Sequence, residues 1–251
     1  ATTLTGVTVD LGTGTNTLAL ANVTNSGTIS NVQTLTGGTG ADTITFATTA
    51  TGGTIDLGTG TDSVTLGNFA QTVTISNAET ITGNADDDTV TLGAAITSGT
   101  IDLAAGTDAL TLGNFTNSAT VSNAETLTGG TGADTVTLGT TLTGMTVNLG
   151  AGTDALVLAN VANTGTVSNV ETITGNAGAD DITLATVIAS GTIDLGGGTD
   201  AVTFANGTNS ATISNVETIT GGSGASTITL GTTLTGVTLD LGGGNDTVTL
   251  A

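Results

Sequence analysis

The chain has 251 residues, 21 acidic side chains and no lysine, arginine or histidine, so its formal charge is −21. Without basic side chains it has nothing to place against nucleic-acid phosphates or an anionic membrane surface, and we expect neither partner. No run approaches the roughly 18 apolar residues of a spanning helix, so we do not expect membrane insertion. Because 37% of the residues are apolar, we expect a folded chain rather than a disordered one.

A repeat of 46 residues runs through the chain, and residues 1–21 match residues 231–251 in phase. We therefore expect a single repetitive domain over 1–251, made of five 46-residue repeats and a 21-residue partial repeat. The first residue is Ala1 and neither end has a distinct capping repeat. We expect either a segment of a longer array or identical subunits that associate end to end. The repeat is marked by Ser-Asn at 30–31, 76–77, 122–123, 168–169 and 214–215.

Two glycine–aspartate phrases divide each repeat, for example within 126–138 and 146–158. Apolar residues alternate with threonine around each phrase, which is typical of half-buried strands separated by glycine turns. This pattern predicts an all-β fold, a parallel β-solenoid (β-roll-like) of about eleven coils that alternate between 20 and 26 residues. A β-sandwich or propeller is the alternative, but it usually contains more aromatic residues. The aligned positions are Asn16, Asp42, Asp62, Asp88, Asp108, Asp134, Asp154, Asp180, Asp200, Ser226 and Asp246.

Residues 37–45 and 129–137 match G-G-x-G-x-D-x-U-x, the nonapeptide of calcium-binding parallel β-rolls. The chain therefore resembles the RTX (repeats-in-toxin) family of secreted bacterial proteins. It departs from that pattern elsewhere, since Asp86 replaces a turn glycine and the predicted coils exceed the family's coils of about 18 residues. The resemblance implies export from the cell and calcium held between turns. The implied carboxylate ligands are Asp42, Asp62, Asp88, Asp108, Asp134, Asp154, Asp180, Asp200 and Asp246, and the implied carbonyl ligands include Gly38, Gly40, Gly130 and Gly132.

Electrostatics supports calcium independently of the resemblance. Stacked coils would place equivalent aspartates about 4.8 Å apart. At that distance two carboxylates repel by about 1 kcal/mol in water and by roughly 3–4 kcal/mol at an effective dielectric constant near 20. No basic side chain is present to offset this repulsion, and calcium favours such oxygen ligands over the stricter geometry of magnesium. The alternative is that the aspartates only cap turns and stay hydrated at the rim.

Threonine recurs at one point of every predicted coil, just before the turns. Such a ladder is typical of β-propensity and cross-strand hydrogen bonding. A regular threonine face that binds ice or a polysaccharide is the alternative, although acidic residues interrupt the neighbouring positions. The residues of this possible ligand face are Thr34, Thr54, Thr80, Thr100, Thr126, Thr146, Thr172, Thr192 and Thr218.

Glutamate also recurs once per repeat, but identical acids along a rod do not resemble one asymmetric active site. We therefore expect no catalytic residues and no enzyme activity. We expect an extracellular or cell-surface structural protein, a calcium-stabilised segment of a fibre, surface layer or adhesin stalk. The alternative function is a binding module for ice or polysaccharide. The repeated acids are Glu79, Glu125, Glu171 and Glu217, with Gln33 in the first repeat.

Overall fold

The computed structural model describes residues 3–232 and 236–250, and the regular structure within these ranges is entirely β-strand. The chain forms two compact units, Ala1–Thr128 and Gly129–Ala251. Each unit is a parallel β-solenoid, which confirms the predicted fold class. Among the described residues, no helix has the length and hydrophobicity needed to cross a membrane.

In the first unit the odd-numbered strands form one parallel sheet and the even-numbered strands form a second. Each coil consists of one odd strand and the even strand that follows it. The last strand extends slightly past the boundary of the unit. The strands are β1 (Thr5–Asp10), β2 (Thr17–Ala19), β3 (Ser26–Ser30), β4 (Thr34–Gly38), β5 (Thr43–Phe46), β6 (Gly53–Gly58), β7 (Ser63–Thr65), β8 (Thr72–Ser76), β9 (Thr80–Asn84), β10 (Thr89–Leu92), β11 (Thr97–Ala104), β12 (Ala109–Thr111), β13 (Ser118–Ser122) and β14 (Thr126–Gly130).

The second unit repeats this arrangement, with its odd strands in one parallel sheet and its even strands in another. The strands are β15 (Thr135–Leu138), β16 (Thr146–Gly150), β17 (Ala155–Val157), β18 (Thr164–Ser168), β19 (Thr172–Asn176), β20 (Asp181–Leu184), β21 (Gly191–Gly196), β22 (Ala201–Thr203), β23 (Ser210–Ser214), β24 (Thr218–Thr220), β25 (Thr227–Leu230), β26 (Thr238–Asp240) and β27 (Thr247–Leu250).

The coils are shorter on average than the alternating lengths predicted from the aspartate spacing. Thr28 pairs with Thr45 in the next coil, and Thr45 pairs with Thr65 in the coil after that. The longer of the two aspartate steps spans more than one coil, because it contains an additional regular strand of the sheet, for example β8 between Asp62 and Asp88. Five strands fall in each repeat, so two repeats make five coils of about 18 residues each. The predicted 20-residue coil is therefore confirmed, whereas the predicted 26-residue coil was wrong, and the average length is close to that of two contiguous nonapeptides.

Apolar side chains fill the space between the two sheets of each unit. Every second strand residue points inward, and the inward residues of successive coils stack in register. In the first unit Ile44 lies beside Val64, which lies beside Ile81, and all three are fully buried. Burying each such side chain contributes roughly 1.5–3 kcal/mol. This apolar packing holds the polar turns at fixed positions along each stack.

A repeat of two and a half coils places equivalent turns of successive repeats on opposite edges. One edge carries turns from an even strand to the next odd strand, which we call even-to-odd corners. The other edge carries odd-to-even corners. The turn before Asp42 joins β4 to β5 and is an even-to-odd corner, whereas the equivalent turn before Asp88 joins β9 to β10 and is an odd-to-even corner. Equivalent residues of neighbouring repeats therefore do not stack on one another.

Candidate functional site

The predicted metal-binding aspartates lie at the corners, one residue before a strand begins, and most of them point inward. Asp42, for example, is completely buried and Asp108 is 1% exposed. The alternative that these acids stay hydrated at a rim is therefore wrong for the buried set. Asp246 differs and is partly exposed. The buried members are Asp42, Asp62, Asp88, Asp108, Asp134, Asp154, Asp180 and Asp200.

Hydrogen bonds connect these corners from one coil to the next. The backbone N–H of Asp42 donates to Oδ1 of Asp62 at 2.7 Å, and the N–H of Asp62 donates to Oε2 of Glu79 at 2.7 Å. We call each such Asp-Asp-Glu series an acidic triad. The same bonds, between 2.6 and 2.8 Å, link the other three triads, Asp88–Asp108–Glu125, Asp134–Asp154–Glu171 and Asp180–Asp200–Glu217.

The acids are in vertical register only in these short series. The coil before Asp42 contributes Asn25, whose backbone N–H and Nδ2 both donate to Oδ1 of Asp42, at 2.9 and 2.8 Å. At the other end of a triad the stack continues with an uncharged residue, Gly99, after Glu79. A continuous ladder of equivalent aspartates is therefore absent from the described residues, because equivalent turns alternate between the two edges.

Amide side chains also belong to these stacks, and the sequence pattern of aspartates does not indicate them. Asn25 also donates from Nδ2 to the carbonyls of Ala21 and Val23, and so holds the turn that precedes it. Asn163 makes the same pair of bonds in the second unit. One feature of the sequence does indicate that Asn25 belongs to the stack. The separation from Asn25 to Asp42 equals the separation from Asp62 to Glu79. Alignment on the aspartates alone concealed it.

Burial and neighbouring acids act on the middle aspartate of each triad in the same direction. Burial first, and then the adjacent carboxylates of Asp88 and Glu125, raise the pKa of Asp108 to about 6 against the lowering effect of the Asp88 N–H. The pKa values of the equivalent Asp62, Asp154 and Asp200 are also raised, first by burial. With no cationic side chain in the chain, a proton or an external cation must relieve this repulsion.

The second carboxylate oxygen of these aspartates lacks a hydrogen-bond donor among the described residues. The buried Oδ2 atoms without a partner include those of Asp42, Asp62, Asp88, Asp108, Asp154, Asp180 and Asp200. A buried anionic oxygen without a donor is the kind of ligand that a hard cation accepts. No group of three or more acidic side chains able to hold a metal ion occurs in residues 3–232 and 236–250. A cation at these corners would therefore be held by fewer than three acidic side chains, and backbone carbonyls or water would have to complete its coordination.

The predicted glycine carbonyls lie between stacked coils. The carbonyl of Gly38 accepts the N–H of Thr59 at 3.0 Å, and the carbonyl of Gly130 accepts the N–H of Ala151 at 2.8 Å. The carbonyl of Gly40 faces the next coil so closely that a Cβ atom on Gly60 would lie 2.6 Å from it. Gly132 has the corresponding position beside Gly152. At Gly38 and Gly130, calcium would have to share an oxygen that already accepts a hydrogen bond.

The predicted threonine face is divided between the two sheets. Thr34 pairs with Thr54 in the even sheet of the first unit, whereas Thr80 pairs with Thr100 in the odd sheet. The expectation that one threonine of every coil lines a single face was therefore wrong. Each repeat spans two and a half coils, so equivalent threonines of neighbouring repeats lie in different sheets. Pairing instead produces a different, unbroken column of seven threonines in the even sheet, Thr17, Thr34, Thr54, Thr74, Thr91, Thr111 and Thr128.

A second class of aspartate lies on the outer surface. Oδ1 of Asp102 accepts Nδ2 of Asn123 at 2.7 Å from the next coil and the N–H of Ala104 at 3.0 Å from its own turn. Asp56 and Asn77 form the same bond at 2.7 Å. We call this pair of side chains the outer clip. The asparagine has a positive φ, 56° at Asn77, which asparagine tolerates better than most residues.

In comparisons with known proteins, no protein-family model, curated protein or solved structure matches this chain.

Proposed function

We propose that this chain is a non-catalytic structural segment of an extracellular or cell-surface assembly, such as a fibre, surface layer or adhesin stalk. The observation that carries the proposal is the regular parallel pairing within each unit, in which each strand stacks in register on the strands of the neighbouring coils. Backbone hydrogen bonds along such stacks and a continuous apolar interior resist extension and local unfolding. The absence of lysine and arginine also leaves no cleavage sites for trypsin-like proteases.

We propose calcium as the stabilising ion, held by the paired aspartates of the acidic triads. When bound, calcium would neutralise carboxylates that no side chain of this protein can neutralise. The buried Oδ2 atoms of Asp62 and Asp108 support this assignment, since each lacks a donor among the described residues. The spacing of about 18 residues per coil also supports it, because it agrees with the nonapeptide resemblance.

Thermal unfolding tests the calcium proposal. We expect millimolar calcium to raise the Tm well above its value in excess chelator, and magnesium to raise it much less. A variant with all eight buried triad aspartates replaced by asparagine should lose most of this calcium response, because the neutral amide is a weaker ligand. The matched control is replacement of the outer aspartates Asp56 and Asp102 by asparagine, which should retain it. A Tm that is equal in calcium and in chelator would contradict the proposal.

We propose that the assembly grows by end-to-end association of copies or continues as a longer array. Leu250 of β27 is 76% exposed, whereas the equivalent Leu66 is 1% exposed. Val7 of β1 is also exposed, at 46%. A further coil would cover both apolar surfaces. Electron microscopy and sedimentation of the unsubstituted protein should reveal filaments. Replacing Leu250 and Val7 by aspartate should dissociate them. Monodisperse particles of the unsubstituted protein would argue against association.

A second candidate function, a binding module, is favoured by the seven-membered threonine column of the first unit. Its members lie on the outward side of the even sheet and are exposed or half-buried. Such regularly spaced hydroxyls and methyls would suit ordered water or a polysaccharide. Thermal hysteresis and glycan-binding assays distinguish this function from the structural one. Replacing Thr54 and Thr74 by lysine should abolish any such activity without dissociating filaments.

A further inference from the structure

The phrase Asn-x-Thr occurs at 22–24, 114–116 and 206–208, in the first, third and fifth repeats. The two equivalent segments between them, 68–70 and 160–162, keep the asparagine and end in alanine. Threonine and alanine therefore alternate from one repeat to the next at a single position. Asn-x-Thr is the acceptor sequence for N-linked glycosylation when it lies on an accessible surface turn.

The fold explains the alternation. In the first unit, 22–24 joins β2 to β3 and 114–116 joins β12 to β13, so both are even-to-odd corners. Segment 68–70 joins β7 to β8 and is an odd-to-even corner. In the second unit, 206–208 lies on an even-to-odd corner and 160–162 on an odd-to-even corner. Within each unit the complete acceptor sequence is thus confined to one of the two edges.

The turn itself does not require the threonine hydroxyl. The N–H of Val23 donates to the carbonyl of Ala21 at 2.8 Å, and the N–H of Phe69 donates to the carbonyl of Gly67 at 2.7 Å, so these two corners, one on each edge, form the same three-residue turn. Ala70 therefore satisfies the conformation that Thr24 adopts. Within the described residues no hydrogen bond engages the hydroxyl of the three exposed threonines, Thr24, Thr116 and Thr208.

The asparagine side chains also differ between the edges. Oδ1 of Asn68 accepts the N–H of Ala85 at 3.2 Å, and Oδ1 of Asn160 accepts the N–H of Ala177 at 3.1 Å. Asn22 and Asn206 are exposed, and in the described part of the chain their side chains take part in no hydrogen bond. Asparagine therefore has a structural contact through Oδ1 on the alanine edge, which Asn22 and Asn206 lack on the threonine edge.

We propose that Asn22, Asn114 and Asn206 are N-glycosylation sites, which place sugars on the even-to-odd corners and leave the odd-to-even corners bare. Nδ2 of the asparagine attacks the anomeric carbon of a sugar carried as a diphosphate-linked donor. The C–N bond forms, the bond between sugar and phosphate breaks, the diphosphate leaves, and Nδ2 releases one proton to a base. The proposal is independent of calcium and of assembly.

A fourth Asn-x-Thr, at 245–247, is not part of this set. Its middle residue is Asp246, whose Oδ1 accepts the N–H of Ser226 at 2.8 Å. Thr247 lies within β27 and its N–H donates to the carbonyl of Ser226, so this segment is held against the neighbouring coil.

Peptide mass spectrometry of the full chain, isolated from the cells that produce it, tests the proposal directly. Trypsin cannot be used, but a protease that cleaves at aspartate and glutamate separates the five turns into different peptides. We expect sugar masses on the peptides that contain Asn22, Asn114 and Asn206, and none on those that contain Asn68 and Asn160. Unmodified peptides at all three sites would overturn the proposal, as would sugars that are equally frequent at Asn68 and Asn160.

Paired substitutions in the producing cells provide the control. Replacing Thr24, Thr116 and Thr208 by alanine should remove the sugars while leaving the turn intact, as Ala70 and Ala162 already do at equivalent corners. Replacing the same residues by serine should retain them, because Asn-x-Ser is also an acceptor. Loss of sugar in the serine variant together with the alanine variant, with an unchanged circular dichroism spectrum in both, would contradict the assignment.

Discussion

Asp102 and Asp108 flank a single turn, yet the protein places them in opposite environments. Asp108 is 1% exposed, accepts the N–H of Asp88 at 2.6 Å and has neighbouring acids in adjacent coils. Asp102 is part of an outer clip and accepts a hydrogen bond from Asn123 beside solvent. The same residue type thus serves a buried stack on one side of the turn and a solvated contact on the other.

The pKa values show the consequence. Burial raises the pKa of Asp108 to about 6. In the equivalent outer clip of the first repeat, hydrogen bonds from the Gly12 N–H and then from Asn31 lower the pKa of Asp10. The corner therefore favours a neutral or cation-bound carboxyl group, whereas the clip favours the free carboxylate. The net charge of −21 alone does not distinguish these two classes.

Replacing Asp108 by alanine should have the largest effect. At about pH 5, where most Asp108 carboxyl groups are neutral, the variant loses a hydrogen bond and leaves the Asp88 N–H without its acceptor. We expect the free energy of unfolding to fall by about 2–4 kcal/mol. Asp102→Ala is the matched control and should lose less than about 1 kcal/mol. Urea denaturation followed by circular dichroism measures both, and equal losses would invalidate the distinction.

Stability should rise as the pH is lowered from about 7 to about 5 in the presence of chelator. Asp108 has a folded pKa of about 6, above the unfolded value of 3.8, so the folded state binds more protons between these values. The penalty for ionising Asp108 is absent below the unfolded pKa and complete above the folded pKa. Melting curves across this range, without calcium, should show a falling Tm as the pH rises. A Tm that increases steadily toward neutral pH would contradict this expectation.

Asp108→Asn isolates the charge from the hydrogen bond. The amide oxygen can still accept the Asp88 N–H, but the side chain no longer ionises beside Glu125. In chelator we expect a Tm several degrees higher than that of the unsubstituted protein near pH 7, and a smaller difference near pH 4.5, where only part of the ionisation penalty remains. The control Asp102→Asn should change the Tm slightly at both values. A lower Tm near pH 7 would mean that the buried charge is not a source of instability.

The outer clip should contribute least. Asn77→Gly removes the 2.7 Å bond to Asp56 but keeps the positive φ accessible, so we expect a loss of a few tenths of a kcal/mol. Asn77→Ala removes the same bond and adds the strain of a left-handed alanine, which should cost about 1 kcal/mol more. Urea denaturation of the two variants separates hydrogen bond from backbone conformation. Equal losses would show that the positive φ carries no cost.

Much of the fold could be predicted from the sequence, because alternation of apolar residues with threonine marks the strands around residues such as Val64 and Ile55. The register between coils could not be predicted in this way. Aspartates recur at two alternating steps, but the longer step contains an additional strand that carries no aspartate at its corner. Asn25 and Gln71 occupy those corners, and an alignment based on charge passes over them. The predicted stacking of aspartates was therefore correct for neighbours such as Asp42 and Asp62 and wrong for a continuous series, whereas calcium binding by these residues stays a prediction.

The sequence by itself determined a repetitive, all-β, strongly acidic chain, since the period, the alternation and the missing basic residues are local properties. Only the tertiary structure decided which acids meet. Five strands per repeat cannot be divided evenly between two sheets, so each repeat begins half a coil out of phase with the one before. That half-coil shift places Asp62 beside Asp42 and Glu79, and it sends the equivalent Asp88 and Asp108 to the opposite edge of the same unit.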